Sequence, residues 1–363
     1  MGVFETLGGE YEEVAFFHDP PTGLRAIVAI HSTLLGPSLG GTRFYPFGSE
    51  EEALRDVLRL ARGMTYKAAA AGLDLGGGKA VIIGDPKRIK TEELLRAYGR
   101  FVDSLGGRYI TAEDVGTSRD DMDVIRRETG WVTGVSEALG GSGDPSPVTA
   151  FGVFNGLKAA AQAALGGRDL GDLHVVVQGV GKVGYALVKH LTQAGTRVTV
   201  ADVDVDNLAR VVSEFGVETA EPEKAHAIEC DILAPCALGG LIRDDTIPEL
   251  KCRVVAGAAN NQLARPEHGD ALHQLGILYA PDFVINAGGI INVADELLGY
   301  DQQRAMARVE RIYHTLREVF RRSETEGIPP SRAAEMLAEE RMRSVSRVRL
   351  IWVPGQGGST ISR

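Results

Sequence analysis

The segment Leu173–Asp204, "LHVVVQGVGKVGYALVKHLTQAGTRVTVADVD", constrains the fold more than any other part of this chain. A strand-like apolar run leads into the hexapeptide GVGKVG at Gly179–Gly184, and an amphipathic helix and a second strand follow, ending just before Asp202. A lone GxGxxG is a weak signal. The full order of strand, glycine motif, helix, strand and a carboxylate about 20 residues on predicts a βαβ unit that binds a dinucleotide.

Each part of this unit has a chemical reason. Its glycines allow a tight turn and close approach of a pyrophosphate to the N-terminus of the helix, which stabilises negative charge. Asp202 is predicted to accept hydrogen bonds from the adenosine ribose and to repel a 2′-phosphate, so NAD is favoured over NADP; Asp204 could share this role. The predicted contacts in the hexapeptide are Gly179, Val180, Gly181, Lys182, Val183 and Gly184.

At 363 residues the chain is long enough for two domains. Strand-like and helical segments alternate along it, which predicts an α/β protein. The Gly/Ser/Pro-rich stretch Gly140–Val148 is the best candidate for a domain crossing. We therefore expect an N-terminal α/β substrate domain over 1–142 and a C-terminal doubly wound, Rossmann-type domain over 143–328, followed by a C-terminal helix and tail over 329–363.

Composition excludes several classes of function. The net charge is −10 and no block of like charges occurs, so nucleic acid and membrane surfaces are not expected partners. No apolar run approaches the ~20 residues of a membrane span, and the acidic start does not resemble a signal peptide. The three cysteines have no CxxC spacing, which favours free thiols in a reducing cytoplasm. The histidines show no metal-ligand spacing, so no metal is expected.

The dinucleotide unit implies hydride transfer, and the N-terminal part must then supply the proton-transfer groups. Only nine of the 39 basic residues are lysines, yet Lys67 and Lys79 lie in a segment, 66–83, whose only other charge is Asp74. A lysine can deprotonate when desolvated, whereas arginine cannot. Together with Asp114 in "YITAEDVGT", they would suit a 2-amino or 2-hydroxy acid. For Asp114 alone, capping of a loop is an equally plausible interpretation.

Three glycines, Gly76–Gly78, directly precede Lys79. One interpretation is a turn feeding a buried strand over Ala80–Ile83. The other is a backbone without side chains that lets a substrate approach the lysine.

Five stretches of the sequence resemble the amino-acid dehydrogenase family of the glutamate, leucine, phenylalanine and valine dehydrogenases, most closely its leucine and valine members. The similarity runs in order from about residue 10 to 343. It implies NAD-dependent oxidative deamination of an L-amino acid to a 2-oxo acid and ammonia. It also implies two domains around a cleft, a C-terminus that returns to the first domain, and a homo-oligomer, from dimer up to octamer. The five stretches are Leu35–Arg43, Arg62–Pro86, Tyr109–Thr117, Gly143–Ala150 and Ala280–Leu297.

The resemblance assigns roles to individual positions. Lys67 resembles the lysine that pairs with the substrate carboxylate, Lys79 the catalytic lysine, and Asp114 the carboxylate that exchanges protons with the amine. A desolvated lysine near a second cation can be neutral at about pH 8 to 9. Backbone from Gly40, Gly41 and Gly76–Gly78 would line the site.

Other positions resemble those that contact the nicotinamide half of the cofactor. For Thr149 and Asn260, helix capping and turn hydrogen bonds are the alternative interpretation. For Cys236, an inert thiol in a cofactor-lining loop is favoured over a nucleophile. The predicted contacts outside the hexapeptide and Asp202 are Thr149, Cys236, Ala237, Ala258 and Asn260.

The positions that resemble the family's side-chain pocket are all apolar: Leu39, Met64, Ala112, Ile290 and Val293. No charge is available for a γ-carboxylate, which argues against glutamate. Ala112 leaves less room than aromatic-specific members provide, which favours a branched aliphatic substrate. Ile290, where many relatives have valine, would shrink the pocket by about one methylene and favour valine over leucine by roughly 1 kcal/mol.

Three alternatives stay open. The first is a phenylalanine dehydrogenase of the same family. The second is an NAD-binding sensor without turnover. The third is a 2-hydroxy-acid enzyme, which would need a His–carboxylate pair that these motifs lack. The end of the chain, 344–363, departs from the family, and its run Val348–Val353 is strand-like; we interpret it as a tail or as a segment that packs on a neighbouring subunit.

Overall fold

The computed structural model describes residues 10–348, and the chain divides into two compact units. Unit 1 contains the chain up to Gly143, the segment Val293–Gln302 and the chain from Ala338 onward. Unit 2 contains Asp144–Asn292 and Gln303–Leu337. The first boundary between the units lies between Gly143 and Asp144, one residue from the boundary expected after residue 142.

The division near the C-terminus differs from the expected boundary at 328/329, because Val293–Gln302 belongs to unit 1 and the chain as far as Leu337 belongs to unit 2. Hydrogen bonds give the physical reason for the first difference. The carboxylate of Glu296 accepts hydrogen bonds from the backbone N–H groups of Gly134 and Ser142, each at 2.8 Å.

Unit 1 is built on a five-stranded mixed sheet with the order β1-β2-β4-β3-β5. β2 pairs antiparallel with β1 and β4, whereas β3 runs parallel to both β4 and β5. Its strands are β1 Glu13–Asp19, β2 Leu24–Ser32, β3 Ser38–Tyr45, β4 Gly76–Ile83 and β5 Tyr109–Glu113. Its helices are α1 Glu50–Ala70, α2 Pro86–Ile89, α3 Glu92–Ser104 and α4 Arg119–Arg126, with a 3-10 turn at Glu137–Leu139.

Unit 2 is built on a six-stranded, all-parallel sheet with the order β11-β10-β9-β6-β7-β8. Its strands are β6 His174–Gln178, β7 Arg197–Ala201, β8 Glu218–Thr219, β9 Cys230–Pro235, β10 Cys252–Val255 and β11 Leu278–Tyr279. The remaining helices are α5 Ser146–Ala164, α6 Lys182–Gln193, α7 Val205–Phe215, α8 Glu267–Gln274, α9 Asp282–Ile285, α10 Gly288–Asp295, α11 Gln302–Glu326 and α12 Pro330–Val348. Short 3-10 turns occur at Leu170–Asp172, Pro222–Ala227, Ile247–Glu249 and Glu296–Leu298. This confirms the predicted fold class of a Rossmann-type C-terminal domain and an N-terminal α/β domain.

The interpretation of Gly76–Gly78 as a turn is wrong, because these glycines are the first three residues of β4 and are buried. Close packing explains their lack of side chains. A Cβ on Gly77 would lie 2.0 Å from the backbone nitrogen of Thr65 in α1, and a Cβ on Gly76 would lie 1.9 Å from the Ser32 carbonyl oxygen. The glycines therefore let α1 and the end of β2 contact the strand that carries Lys79.

The second half of α12 packs on unit 1. Ala338 is buried against Leu35 and Ala69, with Met342 and Val345 beside them. The strand-like run over 348–353 lies outside the described residues, except that Val348 is the last residue of α12. Among the described helices, none combines the length and the hydropathy that a membrane span requires.

Candidate active site

Lys79 and Asp114 meet in unit 1 across a single strand. Lys79 lies in β4 and is 5% exposed, while Asp114 follows the last residue of β5, and β3 runs between these two strands. The Nζ atom of Lys79 is 3.1 Å from Oδ1 of Asp114. The structure thus brings together the two residues for which the sequence predicts proton transfer.

Glycine in β3 makes this pairing possible. A Cβ on Gly41 would lie 2.5 Å from the Glu113 carbonyl oxygen and 2.9 Å from Cβ of Asp114. A Cβ on Gly40 would lie 1.8 Å from the Gly78 carbonyl oxygen. All three distances are too short for real Cβ contacts, so β3 must have glycine where its neighbours approach it.

The environment lowers the pKa of Lys79 and also holds the pKa of Asp114 below its ordinary value. Burial disfavours the ammonium form and lowers the pKa of Lys79, with the nearby charge of Arg43 acting in the same direction and Asp114 opposing it. Burial works against ionisation of Asp114, but the charges of Lys79 and Arg43 outweigh it and hold the pKa of Asp114 below its usual range. A lysine with a lowered pKa releases its proton more readily than an exposed lysine does.

Two residues that the sequence analysis did not select complete this cluster. Arg43 of β3 donates from Nε to Oδ2 of Asp114 at 3.0 Å and from Nη1 to Oδ2 of Asp56 at 2.8 Å. Arg43 closes the motif "LGPSLGGTR", but nothing in one sequence shows that its side chain reaches Asp114. Asp56 stands next to the apolar positions of α1 and is half-buried in the structure. An acidic residue beside that apolar stripe was the only signal for it in the sequence.

Lys67 lies in the last turn of α1, the helix whose Thr65 contacts Gly77. Of the predicted side-chain pocket, Leu39 and Ala112 are buried in paired strands, and Met64 and Val293 are half-buried; these four belong to unit 1. Ile290 is buried in unit 2. Every one of these side chains is apolar.

The glycine loop in unit 2 has the features that a dinucleotide requires. Gly179 has φ 99°, a left-handed conformation that favours glycine, and a Cβ on Gly184 would lie 2.0 Å from the Gly179 carbonyl oxygen. Gly181 is the N-cap of α6, and a Cβ added there would have no atom within 4 Å. The helix N-terminus therefore faces open space with exposed backbone, which fits a pyrophosphate.

The carboxylate of Asp202 is half-buried and holds this loop through hydrogen bonds. Its two oxygens accept hydrogen bonds from the backbone N–H groups of Val180 at 2.6 Å and Asp204 at 2.8 Å. A carboxylate can accept further bonds, so Asp202 can still bind a ribose diol. Asp204 is the N-cap of α7 and accepts from Asp206 and Asn207, so its position is explained by the helix alone.

The remaining predicted cofactor contacts also lie in unit 2. Thr149 donates its hydroxyl to the Pro145 carbonyl oxygen at 2.9 Å, as the helix interpretation expects. The exposed Asn260 accepts a hydrogen bond from the amide of Asn286 at 2.8 Å, which orients its side chain. Ala258 is half-buried and Ala237 is exposed.

The cysteines of the described chain are free thiols. Desolvation raises the pKa of the Cys236 thiol to about 12, so it is protonated at neutral pH and unsuited to nucleophilic attack. Among residues 10–348, no group of three or more His, Cys, Asp or Glu side chains is arranged to hold a metal ion.

Comparison with known proteins identifies relatives along nearly the whole chain. Residues 11–131 match the family model "Glu/Leu/Phe/Val dehydrogenase, dimerisation domain", and residues 203–348 match "Glutamate/Leucine/Phenylalanine/Valine dehydrogenase". A leucine dehydrogenase from Geobacillus stearothermophilus is 56% identical over 340 residues, which are 94% of this chain and 93% of that protein. A valine dehydrogenase from Streptomyces coelicolor is 54% identical over 94% of each chain. The crystal structure of an L-tryptophan dehydrogenase from Nostoc punctiforme matches with a TM-score of 0.84 and 45% identity, covering 95% of this chain and 100% of that one.

Proposed function

Because the chain belongs to the Glu/Leu/Phe/Val dehydrogenase family, we propose that it oxidatively deaminates branched-chain aliphatic L-amino acids with NAD as the hydride acceptor. The chain is an amino-acid dehydrogenase. The observation that carries the proposal is the Lys79–Asp114 pair, a buried lysine of lowered pKa with its amine 3.1 Å from an ionised carboxylate.

In the overall reaction, the amino acid, NAD⁺ and water give the 2-oxo acid, an ammonium ion, NADH and a proton. NAD, when bound by the Gly179–Gly184 loop and Asp202, supplies the acceptor for the hydride that leaves the substrate Cα. The open N-terminus of α6 and the Asp202 carboxylate support NAD, since a 2′-phosphate would meet a negative charge there.

Lys67, Lys79 and Asp114 divide the remaining work. The ammonium group of Lys67 pairs with the substrate carboxylate. Neutral Lys79 takes a proton from the water that adds to Cα of the iminium, forming a carbon–oxygen bond. Asp114 exchanges protons with the substrate nitrogen until the carbon–nitrogen bond breaks and ammonia leaves.

The apolar side chains at the pocket positions support an aliphatic substrate. Relatives named for leucine and for valine match with nearly equal identity, so the branched aliphatic class is supported more strongly than one member of it. The related L-tryptophan dehydrogenase makes an aromatic substrate the second candidate.

The name of the matching N-terminal family model, a dimerisation domain, supports a homo-oligomer. Light scattering after size-exclusion chromatography tests this, and a monomer at assay concentration would contradict it. The free thiols suit a reducing compartment, which supports the expectation of a cytoplasmic protein.

A substrate panel tests the proposed activity. NADH formation is followed by absorbance at alkaline pH with L-leucine, L-valine, L-isoleucine, L-phenylalanine, L-tryptophan and L-glutamate, each with NAD and with NADP. We expect the highest kcat/KM for a branched aliphatic amino acid with NAD. Preference for an aromatic amino acid would contradict the assigned specificity, and turnover with none of them would favour a sensor.

A further inference from the structure

Arg43 occupies a place that the proposed mechanism does not yet use. Its guanidinium bridges two carboxylates, those of Asp114 beyond β5 and Asp56 on α1, at 3.0 and 2.8 Å. The Arg43 side chain is 23% exposed, as is that of Asp114, while that of Asp56 is 16% exposed. Dissolved salt screens such partly buried ion pairs less than it screens pairs at the surface.

Asp114 is fixed through both its backbone and its carboxylate by consecutive residues of β3. Its backbone N–H donates to Oγ of Thr117 at 2.9 Å, and that hydroxyl donates to the Thr42 carbonyl oxygen at 2.9 Å. The carboxylate divides its oxygens, with Oδ1 facing Lys79 and Oδ2 bonded to Arg43. Rotation of the carboxylate would therefore break the Arg43 bond.

Asp56 fixes Arg43 in turn. Its Oδ2 accepts from Arg43, and its Oδ1 accepts from Arg59 on the same helix at 2.9 Å. The planar guanidinium can serve both Asp56 and Asp114 because its N–H groups diverge in a fixed fork, which a lysine ammonium lacks.

We propose that Arg43, anchored by Asp56, is a positioning residue of this enzyme, holding the Asp114 carboxylate so that one oxygen stays directed at Lys79. The inference rests on the proposed roles of Lys79 and Asp114. It goes beyond them because it assigns Arg43 and Asp56 separate effects on kcat and on the pH dependence of the reaction.

Charge and geometry make those effects separable. The charged groups that act on Lys79 come from three elements: Asp114 after β5, Arg43 on β3 and Asp56 on α1. The positive charge of Arg43 lowers the pKa of Lys79, whereas the negative charge of Asp56 raises it. Lys67, on α1, is unchanged in every variant below.

The test compares the pH dependence of kcat/KM for the amino acid in wild type, Arg43→Gln, Asp56→Asn and the double variant. In Arg43→Gln we expect kcat to fall roughly 10- to 100-fold. The acidic limb, meaning the pH range in which kcat/KM falls as Lys79 becomes protonated, should move to higher pH by up to about 1 unit, because the positive charge that lowers the pKa of Lys79 is gone. In Asp56→Asn we expect a smaller fall in kcat and a limb that moves to lower pH. The double variant should bring the limb back toward the wild-type position while kcat stays low.

Arg43→Lys separates charge from geometry, because a lysine keeps the charge but can bond only one of the two carboxylates. We expect its limb to stay near the wild-type position while kcat falls. Arg55→Gln is the matched control, since Arg55 lies on α1 and lines the same surface depression as Arg43. Within the described part of the chain, its ion-pair partner is the exposed Glu51. Its kcat and pH profile should equal those of the wild type.

Thermal unfolding and NAD affinity are measured for every variant, and Arg43→Lys and Asp56→Asn carry the test if Arg43→Gln does not fold. Limbs that move in the same direction, or Arg43 and Asp56 variants as active as Arg55→Gln, would overturn the positioning role. So would losses of rate explained by unfolding or by weaker NAD binding. Absence of turnover in the wild type would instead contradict the proposed function itself.

Discussion

At the scale of single residues, Lys79 shows how burial turns an ordinary side chain into a chemical group. Its position in the middle of a buried strand removes water, and its only charged contact within 4 Å among the described ion pairs is Asp114. Desolvation disfavours the charged ammonium form and so lowers the pKa of Lys79. The neighbouring carboxylate and guanidinium then decide how far the pKa of Lys79 falls.

Replacement of Lys79 tests the base directly. In Lys79→Ala we expect kcat to fall roughly 100- to 10,000-fold while NAD affinity is unchanged, because the side chain belongs to unit 1. In the wild type, kcat/KM should fall as the pH drops through the lowered pKa of Lys79, since the protonated amine cannot accept a proton; this limb should disappear in the variant. Lys87→Ala, at an exposed position of unit 1, is the control. Turnover retained by Lys79→Ala would remove Lys79 from the mechanism.

Asp202 tests the choice of cofactor. In Asp202→Asn the negative charge is lost. The amide oxygen can still accept from Val180 N–H, whereas the amide NH2 cannot accept from Asp204 N–H, so one of the two hydrogen bonds to the carboxylate is kept. We expect the ratio of kcat/KM for NAD over NADP to fall about 10-fold or more. Asp204→Asn is the comparison, because asparagine caps helices as well as aspartate does. A ratio that changes in Asp204→Asn and not in Asp202→Asn would exchange the roles of the two carboxylates.

At the scale of elements, β4 combines two demands. It must carry Lys79 into the core, and it must let α1 approach its backbone closely at Gly77. Glycine answers the second demand, because a side chain on Gly77 would occupy the backbone of Thr65. The same contact ties the end of α1, which carries Lys67, to the start of the strand that carries Lys79.

Two glycine substitutions of opposite expected sign test this packing. Gly77→Ala should lower the free energy of unfolding by about 2 kcal/mol or more and raise KM for the amino acid, because α1 must move away from β4. Gly63 lies on the exposed side of α1, and a Cβ added there has no atom within 4 Å. Gly63→Ala should therefore raise the free energy of unfolding by up to about 1 kcal/mol. Denaturant unfolding and substrate titration measure both. A Gly77→Ala protein as stable as Gly63→Ala would show that α1 does not require the glycine.

At the scale of the whole molecule, the chain leaves unit 1 after Gly143, re-enters it for Val293–Gln302 and returns to it again within α12, at Ala338. Arg341 of α12 marks the return. Its guanidinium donates to the carbonyl oxygens of Ala69 and Leu73 and to Oδ1 of Asp74, at 3.2, 2.6 and 2.8 Å. These acceptors lie at the end of α1 and in the loop that enters β4. The C-terminal helix therefore stabilises the connection between Lys67 and Lys79.

Removal of the Arg341 guanidinium should weaken the segment between Lys67 and Lys79, which is distant from Arg341 in sequence. In Arg341→Ala we expect the free energy of unfolding to fall by about 2 kcal/mol and KM for the amino acid to rise, with NAD affinity unchanged. Arg343→Ala is the matched control, since Arg343 is exposed on the same helix and pairs with Glu339 at 3.6 Å. Thermal unfolding and substrate and NAD titrations measure the outcome; equal behaviour of the two variants would contradict a role of Arg341 in holding the loop.

Local patterns predicted those elements whose signal lies within a short window. The predicted βαβ unit is confirmed. β1 and β3 were not predicted, because an exposed edge strand and a strand with two adjacent glycines lack the usual apolar alternation. They form because neighbouring strands pair with them, which is a contact distant in sequence.

Local patterns were enough to predict the α/β class, the dinucleotide loop and the residue types from which a catalytic site could be built, since periodicity, glycine spacing and two lysines in a segment of low charge can be read within a short window. That Lys79, Asp114, Arg43 and Asp56 form one cluster follows from the folded arrangement alone. Lys79 lies in β4 and Asp114 directly after β5. Arg43 lies in β3 between these two strands, and Asp56 lies on α1. Pairing energies between such distant segments depend on the whole sheet and its register, and no window along the chain contains them.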